Sequence, residues 1–154
     1  MVTNLILSGS RQLLLDTNAY IYFLSALEPY FSLLLPLFQR VQKGEAAFIV
    51  SAITEAELLV RPYRDGNAAA VERVGDLLSE NGIYVAGVDR RIGRRAAQLR
   101  AGSYTNGKRL ALADAIIIAT AIETECEAIV GNDGEWRRLN DIRFVCLDDL
   151  AAAV

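Results

Sequence analysis

Four carboxylates lie in or beside apolar runs of the sequence, where a charge that has no partner is costly. They are Asp16, Glu57, Asp114 and Asp133. If they met in one place they would repel one another, and one or more would be protonated unless a cation neutralised them. The chain has no histidine and only two cysteines, so a metal ion at this place would be held mainly by oxygen. Hard divalent ions such as Mg²⁺ or Mn²⁺ prefer such ligands, and they activate water for displacement at a phosphodiester.

Each of the four acids also has a purely structural alternative. Asp16 could cap the helix that follows it, and residues 54–57 (Thr-Glu-Ala-Glu) fit a capping box in which Glu57 satisfies only backbone donors. Asp114, near the start of a helix, suits the helix dipole, and Asp133 in Asn-Asp-Gly is typical of a turn. The chemical interpretation therefore depends on the fold bringing all four acids to one place.

Short apolar segments alternate with amphipathic ones along the chain, and this alternation predicts strands and helices in turn. Strands are predicted at residues 12–16, 46–50, 83–85, 128–130 and 143–147, with further strand character at residues 5–7. Helices are predicted at residues 19–27, 30–42, 52–60, 68–79, 90–101 and 112–125. We expect Pro36 to kink its helix or mark its start, and residues 62–67, 102–107 and 131–134 to form loops or turns.

These elements predict an α/β fold of three layers, with helices on both faces of a parallel sheet of four or five strands. No repeat, linker or low-complexity tract divides the sequence, so residues 1–154 are expected to form one domain. In such a sheet, chemistry collects outside the carboxyl ends of the strands. Asp16 and Asp133 both follow a predicted strand directly, which places them at that edge.

Composition excludes several classes of function. With 53% hydrophobic residues the chain is expected to be globular, and its net charge of −3 does not by itself indicate nucleic-acid binding. No apolar run is long enough to cross a membrane, and the N-terminus lacks the regions of a signal peptide. The absence of histidine excludes histidine-based triads and histidine-ligated zinc sites. Cys126 and Cys146 are expected to be reduced, buried thiols of a cytoplasmic protein.

One short stretch of the chain is strongly basic and contains no acid. Its cations are Arg90, Arg91, Arg94, Arg95, Arg100, Lys108 and Arg109. Because they closely precede Asp114, they could guide an RNA backbone toward the acids by charge. Two alternatives are a solvated helix face and a surface that binds an acidic partner.

Four segments carry motifs that resemble those of PIN-domain ribonucleases, in particular toxins of the VapC type. The motifs are residues 13–18 (LLLDTN), 51–59 (SAITEAELL), 112–121 (LADAIIIATA) and 130–136 (VGNDGEW). Each motif alone is weakly specific, but their order and spacing agree over residues 12–147. In the second motif the family's acid stands just before a leucine pair, which selects Glu57 over Glu55.

The resemblance implies a parallel sheet between helices and an endoribonuclease with Mg²⁺ or Mn²⁺ as cofactor and RNA as substrate. It also implies a homodimer and a cognate antitoxin whose tail lies over the site. The catalytic acids that carry over are Asp16, Glu57, Asp114 and Asp133, of which the three aspartates would bind the metal. The residues that would orient these acids are Thr17, Asn18, Thr120 and Asn132.

The chain departs from the family pattern in two respects. Gly131 stands where many relatives have Thr or Arg, and the chain is longer at its start and around residues 61–67. Both departures leave the antitoxin and the choice of substrate open.

Other functions are compatible with parts of the pattern. A phosphatase of the haloacid-dehalogenase type would need a second aspartate two residues after Asp16, where this chain has Asn18. A PIN fold that processes RNA without an antitoxin remains an alternative, as does a catalytically silent PIN scaffold that binds RNA or protein. The presence of all four acids argues against the silent scaffold.

Overall fold

The computed structural model describes residues 7–103 and 109–154, and within these ranges five strands form one parallel sheet. The strands are β1 (Gln12–Leu15), β2 (Ala47–Ser51), β3 (Ile83–Ala86), β4 (Ala128–Gly131) and β5 (Arg143–Cys146). The helices are α1 (Thr17–Leu24), α2 (Tyr30–Gln42), α3 (Ala52–Arg64), α4 (Ala68–Leu78), α5 (Arg90–Ser103), α6 (Leu112–Glu123) and α7 (Leu147–Ala152), with a 3₁₀ helix at Gly134–Arg138. The predicted three-layer α/β fold is confirmed.

The order of the strands places β1 at the centre of the sheet. The sheet runs β3-β2-β1-β4-β5, and every pair of neighbours is parallel. From β1 the chain proceeds to β2 and β3 on one side of the sheet, and it then crosses back to form β4 and β5 on the other side of β1. The order of the strands therefore reverses beside β1. A crevice forms at the carboxyl end of the sheet at such a point. Leu15 pairs with Val130 there, which brings the residues that follow β1 and β4 next to each other.

Both faces of β1 are buried, which explains why the strand is apolar throughout. Side chains of a strand alternate between the two faces. Leu13 and Leu15 pack in a core with helices α1 and α2, whereas Leu14 packs in a second core with Ile117 and Ile118 of α6. None of the three leucines of β1 is accessible to solvent. The packing on both faces holds the end of β1 in place.

Several boundaries differ from those predicted. Helix α3 continues through Pro62 to Arg64 because a proline in the last turn removes only one backbone hydrogen bond of the helix. Pro36 lies inside α2, so it does not mark the start of that helix. Residues 134–138 form a 3₁₀ helix rather than only a turn, and the sequence analysis missed α7 altogether. Residue 7 lies in a bend, while residues 5–6 and 104–107 of the predicted strand and loop lie outside the described residues.

Candidate active site

Asp16 lies between the ends of β1 and β4 and is almost completely buried, with 4% of its surface exposed. It is the N-cap of α1, since its Oδ1 accepts a hydrogen bond from the backbone N–H of Ala19 at 3.0 Å. Its Oδ2 accepts a hydrogen bond from the backbone N–H of Asn132 at 3.3 Å. The capping role is therefore present, and the second bond ties the same carboxylate to the end of β4.

Glu57 is on α3, and its carboxylate is hydrogen-bonded to the hydroxyl group of Thr17 on α1. Its Oε1 lies 2.8 Å from Thr17 Oγ1, which in turn lies 3.2 Å from Thr54 Oγ1. A carboxylate can only accept, so the Thr17 hydroxyl donates to Glu57 and accepts from Thr54. The capping-box alternative at residues 54–57 does not apply, because the N-cap of α3 is Ser51, whose side chain accepts from the backbone N–H of Ile53 at 3.2 Å. Glu57 is thus available to the cavity.

Asp114 and Asp133 reach the same region from two other elements. Asp114 is in the first turn of α6, where the helix dipole favours a negative charge. Asp133 follows β4 and caps the 3₁₀ helix, with its Oδ1 accepting from the backbone N–H of Glu135 at 3.0 Å. Each acid has a local structural role, and each also faces the crevice at the end of β1.

The four acids line one cavity with a volume of about 260 Å³. Its walls also include two polar residues that follow Asp16 and three apolar residues from α1, α6 and the 3₁₀ helix. The complete lining is Asp16, Thr17, Asn18, Ile21, Glu57, Asp114, Ile117, Asp133 and Trp136. Acids from four separate segments of the chain therefore meet at the carboxyl edge of the sheet.

Burial and mutual repulsion make the negative charges of Asp16 and Asp114 costly. The pKa of Asp16 rises from 3.8 to about 6, chiefly because burial penalises its charged form and secondarily because Asp133 and Asp114 are near. The two backbone N–H groups that it accepts from oppose this rise. Burial also raises the pKa of Asp114, with further contributions from the charges of Asp133 and Glu57. A cation in the cavity would relieve all of these costs.

The donor set fits a hard divalent cation, although the side chains do not converge on a single point. The polar side chains that line the cavity are four carboxylates, one hydroxyl and one amide. All of them carry an oxygen atom, and oxygen ligands suit Mg²⁺ or Mn²⁺. In the described parts of the chain, no three acidic or thiol side chains lie close enough together to hold an ion in this arrangement. Coordination of one ion would therefore require the carboxylates to rotate toward one another.

Comparison with known proteins identifies the family. The PIN domain matches residues 13–142. The chain belongs to the PIN-domain family. No curated protein sequence matches it. The resemblance of the four motifs to this family is thus confirmed.

Several solved structures share the fold of this PIN domain. A chain of VapBC2 from Rickettsia felis, bound to a fragment of promoter DNA, has a TM-score of 0.71 and 18% identity, covering 88% of this chain and 98% of that one. FitAcB from Neisseria gonorrhoeae has a TM-score of 0.66 and 24% identity, with coverages of 88% and 97%. VapC20 from Mycobacterium tuberculosis, a toxin that cleaves the sarcin–ricin loop, has a TM-score of 0.61 and 12% identity, with coverages of 85% and 98%.

The residues predicted to orient the acids of the PIN domain do so only in part. Thr17 holds Glu57, and Asn18 lines the cavity. Thr120 does not reach the cavity, because it is fully buried and its hydroxyl donates to the carbonyl of Ile116 one turn earlier at 2.7 Å. The prediction for Thr120 is therefore wrong, since a buried hydroxyl in a helix commonly satisfies itself on its own helix.

Asn132 acts through its backbone rather than through its side chain. The backbone N–H donates to Asp16, whereas the side-chain amide is turned toward Tyr22 and Asp148. The sequence analysis missed Tyr22, Asp148 and Thr54 as parts of the site. Tyr22 and Thr54 lie in or near the motifs, but Asp148 lies outside them, and no signal in the sequence relates it to Asn132.

Gly131 makes room for the carboxylate of Asp16. A Cβ at residue 131 would overlap that carboxylate, lying 2.5 Å from its Cγ. Real Cβ atoms do not approach other atoms so closely, so a larger residue here would require Asp16 to move. Gly131, the residue that departs from the family pattern, therefore leaves the space that the carboxylate of Asp16 occupies in this PIN domain.

A second, larger cavity adjoins the acids and includes some of the predicted basic residues. Its volume is about 490 Å³, and Asp114, Asp133 and Trp136 line both cavities. Arg95 and Arg109 line its wall, and so does Arg138, which the sequence analysis did not single out.

The basic residues of α5 differ in their contacts. Arg91 and Arg95 pair with Glu123 of α6 at 3.0 Å and 2.9 Å, whereas Arg90 and Arg94 are exposed to solvent. Lys108 lies outside the described residues.

Among the residues that the structure describes, every helix is too short or too polar to span a lipid bilayer.

Proposed function

We propose that this PIN domain is an endoribonuclease that depends on a divalent metal and acts as the toxin of a toxin–antitoxin pair. The observation that carries the proposal is the single cavity lined by Asp16, Glu57, Asp114 and Asp133. Burying like charges together destabilises a protein, so an arrangement of this kind is typical of a site that binds a cation. Mg²⁺ or Mn²⁺ is the cofactor that suits these oxygen donors.

The proposed roles follow from the position of each acid. Asp16, Asp114 and Asp133 would hold the ion, and the two backbone N–H groups that donate to Asp16 would keep its oxygens in place. A bound ion supplies the positive charge that lowers the pKa of the attacking water and stabilises the charge that develops on the phosphoryl oxygens. Glu57, which Thr17 orients through its Oε1, would accept the proton of that water.

The larger cavity supports a polymeric substrate such as RNA. It opens beside Asp114 and Asp133, and Arg95, Arg109 and Arg138 lie on its wall. Cations along such a path attract a phosphate backbone without reading its sequence. A structural relative, VapC20, cleaves the RNA of the sarcin–ricin loop. RNA contacts by the six predicted cations stay predictions, namely Arg90, Arg91, Arg94, Arg95, Lys108 and Arg109.

A protein partner is supported by the relatives and by the surface beside the cavity. Chains of similar fold occur in toxin–antitoxin complexes. Exposed apolar side chains lie on the two helices that border the cavity, namely Ile21 on α1 at 44%, and Val60 and Tyr63 on α3 at 62% and 66%. Exposed apolar groups of this kind suit the apolar face of a partner helix. Homodimerisation and a cytoplasmic location stay predictions of the sequence.

Cleavage of RNA by the purified protein tests the proposed activity. The wild type, Asp16→Asn and Asp114→Asn are incubated with RNA in the presence of Mg²⁺, Mn²⁺ or a chelator. We expect cleavage only by the wild type with metal, because each substitution removes a negative charge that the ion requires. Equal cleavage by all three proteins, or cleavage unaffected by the chelator, would refute the proposal. Tight binding of RNA without turnover would instead indicate a silent scaffold.

Expression in a bacterial host tests the toxin role separately. We expect growth to stop when the wild type is produced and to continue when Asp16→Asn is produced at the same level. Co-expression of the reading frame immediately upstream of the gene should restore growth if that frame encodes the antitoxin. An active nuclease that does not affect growth would instead indicate RNA processing without an antitoxin.

A further inference from the structure

We propose that Asp148 and Tyr30, which lie outside the acid cavity, position its carboxylates by fixing Asn132. This inference rests on the proposed function and adds two residues to its machinery. Asn132 is the link, because its backbone N–H donates to Oδ2 of Asp16 at 3.3 Å and its own carbonyl group is bonded to Asp133. A movement of Asn132 would therefore change the positions of two of the proposed metal ligands at once.

The side chain of Asn132 is held at both ends of its amide. Its Oδ1 accepts the backbone N–H of Asp148 at 2.8 Å and the thiol of Cys146 at 3.6 Å. Its Nδ2 donates to Oδ1 of Asp148 at 3.2 Å and to the hydroxyl of Tyr22 at 3.2 Å. Two bonds to the same residue, one through each end of the amide, determine the orientation of the Asn132 side chain.

Asp148 is itself fixed from the opposite side. Its Oδ1 also accepts the hydroxyl of Tyr30 at 2.6 Å, and the ring of Tyr30 stacks on that of Tyr22 with centroids 4.3 Å apart. One carboxylate oxygen thus joins α7, α2 and the segment after β4. Hydrogen bonds to a charged acceptor are shorter and stronger than neutral ones, so Asp148 is the residue on which this network depends.

The network can affect the acid cavity only through the backbone of Asn132. Asp148 does not line the acid cavity, so it is a positioning residue and not a ligand. The Asn132 N–H to Asp16 bond is near the upper limit of length for a hydrogen bond of this kind. A small displacement of Asn132 would break it and leave one oxygen of a buried carboxylate without a donor.

Neighbouring acids on α7 provide a matched comparison. Asp148→Ala removes the oxygen that accepts from Tyr30 and Asn132, whereas Asp148→Asn retains an oxygen at that position. Asp149→Ala removes an adjacent exposed acid that accepts two hydrogen bonds from Arg137, at 3.0 Å and 2.8 Å, and whose bonds go to Arg137 rather than to Asn132 or Tyr30. Three quantities are measured: hydrogen exchange of the Asn132 backbone amide in metal-free protein, the Kd for Mn²⁺ by calorimetry, and kcat/KM for RNA cleavage.

We expect Asp148→Ala to accelerate exchange of the Asn132 amide roughly 5-fold. The Kd for Mn²⁺ should rise roughly 3- to 10-fold, below the 10- to 100-fold typical of residues that contact a metal ligand directly. The kcat/KM for RNA should fall by a similar factor, while Asp148→Asn and Asp149→Ala stay close to the wild type. Tyr30→Phe should produce a smaller change in the same direction, because it removes only one of the bonds.

The outcomes separate this inference from the proposed function. If wild-type protein binds Mn²⁺ and Asp148→Ala binds it equally well with an unchanged amide exchange rate, the network does not position the site and the inference is wrong. Equal losses in Asp148→Ala and Asp149→Ala would indicate a general weakening of α7, which also overturns it. A wild-type protein that neither binds Mn²⁺ nor cleaves RNA would refute the proposed function itself, and the network would then position no metal site.

Discussion

Replacing Asp16 with asparagine is expected to stabilise the metal-free protein at neutral pH while abolishing cleavage. The carboxyl group is 4% exposed, and its pKa rises from 3.8 to about 6, chiefly because of burial. Ionising it at pH 7.5 therefore costs the folded protein roughly 3 kcal/mol relative to the unfolded chain. The amide avoids this cost. It retains the acceptor for Ala19 but places an N–H group opposite that of Asn132, which should cost about 2 kcal/mol.

The pH dependence of the free energy of unfolding separates the cost of ionising Asp16 from the cost of the amide N–H group in Asp16→Asn. Because the folded pKa lies above the unfolded value, the folded wild type binds the proton more tightly, and its stability rises as the pH falls through about 6 toward 4. Between pH 7.5 and 4.5, the wild type should gain roughly 2 kcal/mol relative to Asp16→Asn, whose amide does not titrate. The variant is then more stable by about 1 kcal/mol at pH 7.5 and less stable by a similar amount at pH 4.5.

Urea unfolding in the presence of a chelator measures this difference at both pH values. Asp76→Asn is the control for the loss of one carboxyl group, since Asp76 is an exposed acid on α4. Parallel pH dependence of the wild type and Asp16→Asn would refute the reasoning, because it would mean that the Asp16 carboxyl group titrates alike in the folded and unfolded chains. Adding Mn²⁺ should stabilise the wild type and Asp76→Asn, by mass action, but not Asp16→Asn.

Two further substitutions test how the acids are held. Gly131→Ala should weaken Mn²⁺ binding by about tenfold or more, because the new Cβ would lie 2.5 Å from Asp16 Cγ; calorimetry measures the affinity, and an unchanged Kd would show that Asp16 moves aside at no cost. Thr17→Val removes the hydroxyl that holds Glu57 and should lower kcat roughly tenfold with KM nearly constant. Steady-state kinetics measures both constants, and a wild-type kcat would show that Glu57 does not depend on this bond.

Apolar periodicity was sufficient to predict the architecture, because burial on both faces leaves a direct pattern in a strand. The sheet of parallel strands and the helices between them follow from segments such as residues 13–15 and 128–130. The helix boundaries were less predictable, as α3 continues through Pro62, where a proline in the last turn removes only one backbone hydrogen bond of the helix. Helix α7 was not predicted because its 6 residues are too few to show the apolar periodicity of a helix.

The sequence alone placed Asp16 and Asp133 at one edge of the sheet, since each follows a parallel strand, whereas Glu57 was chosen over Glu55 by the resemblance to the family motif. Only the tertiary structure decided how they are held. It directs the hydroxyl of Thr120 to its own helix, turns the side chain of Asn132 toward Asp148, and leaves room at Gly131 for a carboxylate from β1. The physical reason is that periodicity specifies the face on which a residue lies, whereas the close approach of Gly131 to Asp16 and the direction of the Asn132 side chain depend on the packing of strands and helices in three dimensions.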